Sequence, residues 1–379
     1  MSGICLALAA FAVMGPVYAD DTFGRDGIDR SDPDFVTASL LVMSPGNELY
    51  SCAGHSCLRL ECPTFNLDYC FSYESESVKD RVLTFFLGKL KMGMFAVPVE
   101  EYLKLAEAEG RGVMQYRLNL PPEAKQRLWK ILDERVAEGI NQPYDYVKRG
   151  CGRSVRVVLL EALSPLRLEL PELSDIYSKT RRELWDAAVS HHPWNRFFLH
   201  SFCGSEHDFA TSDLEKIIIP DDLVRFLRSA KVNGQPVIDG EGVELLAAGS
   251  QGRASPVTPM TVSCIVVLLA FFNWSVKRRW LDWLFLSFQA LVGAFYLYLV
   301  GFSGLPATSW HWLVVPFNLL PLVFWKWRQK WAVWFDIVLV AWVAGMICYP
   351  HRLTDPAWIV LVGAYIVFYA KFITIKEKQ

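Results

Sequence analysis

The sequence predicts an α+β domain outside the cytoplasm followed by an all-α bundle of about five transmembrane helices. Three observations lead there. Hydrophobic residues make up 52% of the 379 positions, with 14 Trp, which is too apolar for one soluble domain of ordinary make-up. These residues are unevenly spread: a polar stretch from Asp20 to about Pro256 gives way to apolar runs of membrane-spanning length separated by short polar breaks. Finally, the basic residues at those breaks are one-sided.

At the amino end, "ICLALAAFAVMGPVYA" is a short apolar run closing on small residues before Asp20, as in a secretory signal spanning residues 1–19. Residues 20–256 then form one soluble domain, a size at which a single core is comfortable. "AAGSQGRASPVTP" reads as a linker into a membrane domain at 257–379. Five spans are expected there: Pro259–Trp274, Leu281–Phe302, Trp310–Trp325, Ala332–Tyr349 and Ala357–Phe372, of which the first and third are short. Lys277, Arg278, Arg279, Lys326, Arg328, Lys330, Lys371, Lys376 and Lys378 fall at one set of ends, and Arg352 alone in the opposite loops. The positive-inside rule therefore places the soluble domain outside the cytoplasm, in agreement with the signal. The chain is expected to be a multi-pass membrane protein; in a bacterium that means the inner membrane, with the soluble domain on the periplasmic side.

Within the soluble domain, strands are expected at "FVTASLLVM", "CLRLEC", "LDYCFSYE" and "GVMQYRLNL", the second and third forming a hairpin across Pro63 to Asn66. Helices are expected in "VEEYLKLAEAEG", ending at Gly110, and in "PEAKQRLWKILDERVAEG", ending before Gly139. Mixed strands and helices without regular alternation argue for α+β. After Cys151, residues Val155, Val158, Leu159 and Ala162 share one stripe, so a buried amphipathic helix begins at that cysteine.

A thiol at a helix N-terminus is favoured as thiolate by the positive end of the helix dipole, here with Arg149, Arg153 and Arg156 nearby. Gly150 and Gly152 leave room for a substrate carbonyl, and the Gly152 amide is placed to serve an oxyanion. Burial of an inert Cys is the plainer alternative. A nucleophilic Cys needs a base. His55 in "SCAGHSCLRL" stands at the start of a strand, but His191, His192, His200, His207, His311 and His351 compete, and spacing alone does not choose. Cys203, followed by Gly and near His207, is the rival nucleophile. The net charge of −2, with no basic stripe, gives no reason to expect nucleic acid, and no Cys-x-x-Cys or His-Glu-x-x-His spacing suggests a metal.

The stretches "LLVMSPGNELYSCAGHSCLRL", "FFLGKLKMGMFAVPVEEYLKLAEAEGRGVMQYRLNLPPEAKQRLWKILDE" and "YDYVKRGCGRSVRVVLLEAL" resemble the periplasmic domain of the Lnb family of bacterial lipoprotein N-acyltransferases, and "WHWLVVPFNLLPL" resembles that family's membrane region. The Gly-His-Ser element with the late Cys is the most specific part. A His on an early strand with a much later Cys opening a helix also resembles the permuted NlpC/papain-like thiol fold. The resemblance implies His55 as base and Cys151 as acylated nucleophile, with Ser56, Gly152, Arg153 and Arg59 as candidates for oxyanion or substrate contact. It departs at Gly150, where the family usually has Asn.

The implied reaction moves an acyl chain from a phospholipid to Cys151, then to the α-amino group of a diacylglyceryl-cysteine lipoprotein. It needs no cofactor. A third residue should orient His55, and Asp68 and Asn66 on the neighbouring hairpin are the candidates. Arg111, between two glycines, reads as part of a turn. Cys62 and Cys70 are the expected disulfide pair if the hairpin forms in an oxidising compartment. A wall-active amidase or peptidase, a phospholipase with the same dyad, and a non-enzymatic membrane scaffold are the remaining readings.

Overall fold

The computed structural model describes residues 32, 35–78, 80–145, 150–209, 211–249, 255–305, 308, 310–349 and 354–374. The expected signal at 1–19 lies outside them, as do Arg149, His351, Arg352, Lys376 and Lys378.

An N-terminal sheet domain precedes a helical region. The sheet has seven strands, β1 (Thr37–Met43), β2 (His55–Cys62), β3 (Leu67–Ser75), β4 (Lys91–Pro98), β5 (Val113–Arg117), β6 (Gln142–Pro143) and β7 (Val243–Leu246), in the order β7-β5-β1-β2-β3-β4-β6 with every neighbour antiparallel. The expected hairpin joins β2 to β3: a 3-10 turn at Pro63–Phe65 reverses the chain, and Asn66 closes it at φ 51, a left-handed conformation that Asn tolerates better than most residues.

Alternation along the strands gives the sheet two covered faces. On one, Leu40, Val42, Leu58, Leu60, Cys62, Phe71 and Met94 pack against α3 (Pro122–Ala137), α4 (Cys151–Leu163) and α7 (Pro220–Ser229) through Leu128, Leu132, Val155, Leu159, Leu223 and Phe226. On the other, Leu41, Met43, Cys57, Cys70 and Val113 meet Val99, Tyr102 and Ala106 of α2 (Val99–Ala108). This division overturns the expected disulfide. Cys62 stands opposite Leu67 and Cys70 opposite Arg59, so the two thiols belong to opposite faces, and both are free.

Among the described residues, four helices are long and apolar enough to cross a bilayer: α8 (Pro259–Val276), α9 (Arg279–Gly301), α10 (Arg328–Cys348) with the turn before it, and α11 (Pro356–Thr374). Five were expected. The missing one is the third, where Pro316 and Pro321 lack the amide hydrogen that helix continuation requires. The chain there is a 3-10 turn at Trp312–Val314, a short helix at Leu320–Val323 and a second 3-10 turn at Trp325–Trp327.

Irregular backbone at membrane depth is tolerable only when buried in protein. Gln289 Nε2 donates to the Pro316 carbonyl at 2.9 Å, Trp342 Nε1 to that of Trp312 at 2.9 Å, and Phe317 is fully buried beside Trp358 and Tyr365. The segment runs the length of the bundle. At one end the Trp310 carbonyl accepts from the Ser205 amide of the sheet domain; at the other, Trp325 packs on Phe372, beside the buried cluster of Lys371, Asp282 and Asn273 that ties α11 to the facing ends of α8 and α9.

Two elements seat the sheet domain on the bundle. From α6 (Pro193–Phe202), Phe197 stacks on Trp358 with ring centroids 4.7 Å apart, and the His200 carbonyl lies 3.3 Å from His311 Nε2. From α1 (Val82–Phe86), the Phe86 carbonyl accepts from Tyr298 at 3.0 Å and from Ser303 at 2.6 Å, while the Leu87 carbonyl accepts from the Gly304 amide. Because β4 starts just after α1, the end of the sheet carrying Lys91, Ser75 and Glu74 is the end that faces the bundle.

Candidate active site

His55 is the first residue of β2 and Cys151 the first of α4, and the fold brings them together at that membrane-facing end. The helix begins at Gly150, which is extended (φ −62, ψ 158) and whose carbonyl accepts the Ser154 amide at 2.9 Å. Among the described residues no side chain caps this terminus, and its first amides carry the partial positive charge of the helix start. Gly152 is required for packing: a Cβ there would stand 2.7 Å from the Ile218 carbonyl oxygen, whereas one at Gly150 would meet nothing within 4 Å.

Burial pushes the Cys151 thiol up, but the His55 charge and hydrogen bond, helped by the adjacent Ser56 amide, outweigh it and leave the thiol below its ordinary pKa. Burial likewise pushes His55 down, and the negative charges of Cys151 and Glu74 overcome it and raise the imidazole well above its usual value. Both shifts run in the direction that favours thiolate and imidazolium over the neutral pair. The Ser56 hydroxyl is fully buried and finds no oxygen or nitrogen partner, which leaves the sulphur as the polar group it faces.

The group that orients His55 differs from the sequence expectation. His55 Nε2 lies 2.7 Å from Ser72 Oγ, and Ser72 Oγ donates to Glu74 Oε1 at 2.7 Å, with Glu74 Oε1 itself 3.4 Å from the ring. A hydroxyl has one proton, and Ser72 gives it to Glu74, so Ser72 accepts from Nε2–H and leaves Nδ1 to serve the thiol. Asp68 and Asn66 are not brought to the site. Asp68 stands opposite Glu61, six residues from His55 along β2, and its carboxylate takes Arg59 Nε and Nη2 at 2.7 and 2.8 Å; Asn66 is in the turn. Arg59 also donates to Gln115 at 2.7 Å, so it clamps three strands at a distance from the thiol. Continuing the register Leu58↔Phe71 puts His55 opposite Glu74, so the hairpin itself held the signal.

Tyr144 was also missed. Its phenol is pushed up to about 12 by burial and then by the Cys151 charge, which acts on it from electrostatic range. Arg153 extends from the first turn of α4 towards Glu215, 4.0 Å away, and lines a cleft of about 370 Å³ with Tyr73, Arg135, Gln142 and Ser154. Arg111 holds the turn, donating to the Ser44 carbonyl at 2.7 Å and pairing with Glu109 at 3.0 Å.

The rival thiol is differently placed. Cys203 ends α6 and is buried, which pushes its pKa up to about 12, and neighbouring His207 is driven down to about 3 by burial and by Arg182. His200 bonds Asp186 at 2.7 Å, and His311 stacks on Tyr296. Among the described residues, His55 is the histidine whose charge acts on Cys151.

Residues 26–184 match the family described as the Lnb N-terminal periplasmic domain, a span that includes His55, Ser72, Glu74, Tyr144 and Cys151. No curated protein and no solved structure matches the chain. The chain thus carries an Lnb N-terminal periplasmic domain followed, among the described residues, by four helices long and apolar enough to cross a membrane, the organisation of a multi-pass membrane protein.

Proposed function

We propose that the protein is a phospholipid-dependent lipoprotein N-acyltransferase of the bacterial inner membrane, working through a thioester on Cys151. The observation that carries this reading is the juxtaposition of Cys151, first residue of a helix, with His55, first residue of a strand, on the end of the sheet domain that meets the bundle. A site held at a membrane surface suits two lipid-anchored reactants, because proximity is supplied by the anchor. A thiol opening a helix and a histidine opening a strand also support the NlpC/papain-like reading of the domain.

In the first half-reaction, the Cys151 thiolate attacks the ester carbonyl, the amides at the start of α4 receive the developing oxyanion, and imidazolium gives its proton to the departing lysophospholipid oxygen. In the second, the neutral α-amine of a diacylglyceryl-cysteine lipoprotein attacks the thioester carbon. His55 takes the amine proton as the C–S bond breaks, restoring thiolate and imidazolium. Ser72 and Glu74 hold the ring in one tautomer through both steps.

The test is mass spectrometry of lipoprotein N-termini from cells with and without the protein. The wild type is expected to add one amide-linked acyl chain and Cys151→Ala none. Free fatty acid and lysophospholipid without that amide would make it a phospholipase, and cleaved wall peptides without lipid products an amidase. An unchanged amide yield from Cys151→Ala would refute the mechanism.

A further inference from the structure

The helix α1 carries apolar side chains that none of the described residues covers. Leu83 is 79% exposed, and Val82 and Leu87 are also exposed, while Phe85 and Phe86 on the other side pack into the bundle core. In water such a patch is a liability, and its position explains it.

On α9, Leu284, Phe288 and Leu291 are exposed at helical spacing, and the same stripe continues through Phe295 and Tyr298 to Phe302, which is 82% exposed. A membrane-length helix turns such a stripe towards lipid. Phe86 packs edge-on against Phe295 at 5.6 Å, and Tyr298 bonds the Phe86 carbonyl, so α1 lies on the lipid-facing stripe itself. Phe295 and Phe302 are about two turns apart, roughly 10 Å at 1.5 Å per residue. That matches the roughly 5–10 Å depth at which interfacial helices seat their apolar side chains. Lys89 and Lys91 flank the patch and are exposed, placed as basic chains that reach to lipid phosphates are, whereas Arg81 is held by Glu76 at 2.6 Å.

The same element leads to the thiol. Phe85 contacts the Tyr144 ring at 6.5 Å and the Phe202 ring at 6.1 Å, and Tyr144 lies within reach of the Cys151 charge.

We propose that α1 is seated in the periplasm-facing leaflet, with Leu83 and Leu87 among acyl chains, and that a phospholipid of that leaflet reaches Cys151 across α1, past Phe85 and Tyr144. The seating stands on the packing alone; the route rests on the acyltransferase reading.

Both are tested in full-length protein in its native membrane. With Leu83→p-benzoylphenylalanine, ultraviolet light is expected to add the mass of one phospholipid to the protein. The same probe at Leu170, exposed beyond the far end of α4, is expected to add none. Adducts at both positions or at neither overturn the seating. The double variant Leu83→Glu, Leu87→Glu is expected to slow acylation of Cys151 from bilayer phospholipid at least tenfold, with iodoacetamide alkylation of the thiol unchanged. Undiminished acylation overturns the route. If the wild type shows the Leu83 adduct but never acylates Cys151, the acyltransferase reading fails and the seating stands.

Discussion

Replacing Glu74 by Gln removes the negative charge 3.4 Å from the His55 ring while keeping an oxygen for the Ser72 hydroxyl. Glu74 is half exposed, so solvent screens it: Coulomb's law at this distance with an effective dielectric of about 40 to 80 gives about 1–2 kcal/mol, or roughly one pKa unit on the imidazole. The sign follows from what is lost. A carboxylate stabilises imidazolium, so its removal lowers the His55 pKa from its folded value of about 10 towards the ordinary 6.5. The alkaline limb of the pH profile, where imidazolium loses its proton, should move down by about one unit. The assay is the rate of iodoacetamide alkylation at Cys151 from pH 5 to about 11, followed by peptide mass spectrometry to separate it from the exposed Cys264 and Cys348. Asp68→Asn is the control: six residues along a strand is about 20 Å, more than two screening lengths at physiological salt, and it should shift nothing. An unmoved limb in Glu74→Gln, or an equal shift in Asp68→Asn, would refute the assignment of Ser72 and Glu74 as the orienting pair.

Other expectations are simpler to check. Gly152→Ala drives a methyl into the Ile218 carbonyl, so a loss of about 1–3 kcal/mol and a lower melting temperature are expected; Gly150→Asn, with open space and a capping side chain, should hold or gain a few tenths. Cys151→Ala should end thioester formation, whereas Cys203→Ala should retain it, as read by hydroxylamine-labile acyl mass on the intact protein. Leu159→Ala should cost about 2–5 kcal/mol by opening a cavity between α4 and the sheet, measured by denaturant midpoint. Alkaline phosphatase fused after Ser303 should be active and after Gln329 silent, because the irregular segment between them crosses the bundle; equal activity would mean that it turns back.

Much of the plan was legible because it depends on local pattern. The hairpin at Pro63–Asn66, the stripe of α4, the abrupt change of composition near Pro256 and the basic ends of the spans need only neighbours in sequence. Cys151 and His55 were legible as residue types in suitable local settings, with the resemblance choosing His55 among the histidines. The third apolar run was misjudged because hydropathy counts apolar residues and ignores the missing amide hydrogens of Pro316 and Pro321; whether such a run can stay irregular depends on Gln289 and Trp342, contributed by other helices. Asp68 looked suitable because it is close to His55 in the chain, yet antiparallel pairing reverses distance: residues beside the turn meet each other, and the start of β2 meets the end of β3. Local pattern is enough to mark the residues fit to be nucleophile and base and the segments apolar enough to enter a membrane. That Ser72 and Glu74 line up on the His55 ring, that Tyr144 comes within range of the Cys151 charge and that α1 turns Leu83 outwards emerges from the fold alone, because each depends on register and packing between segments that no local pattern fixes.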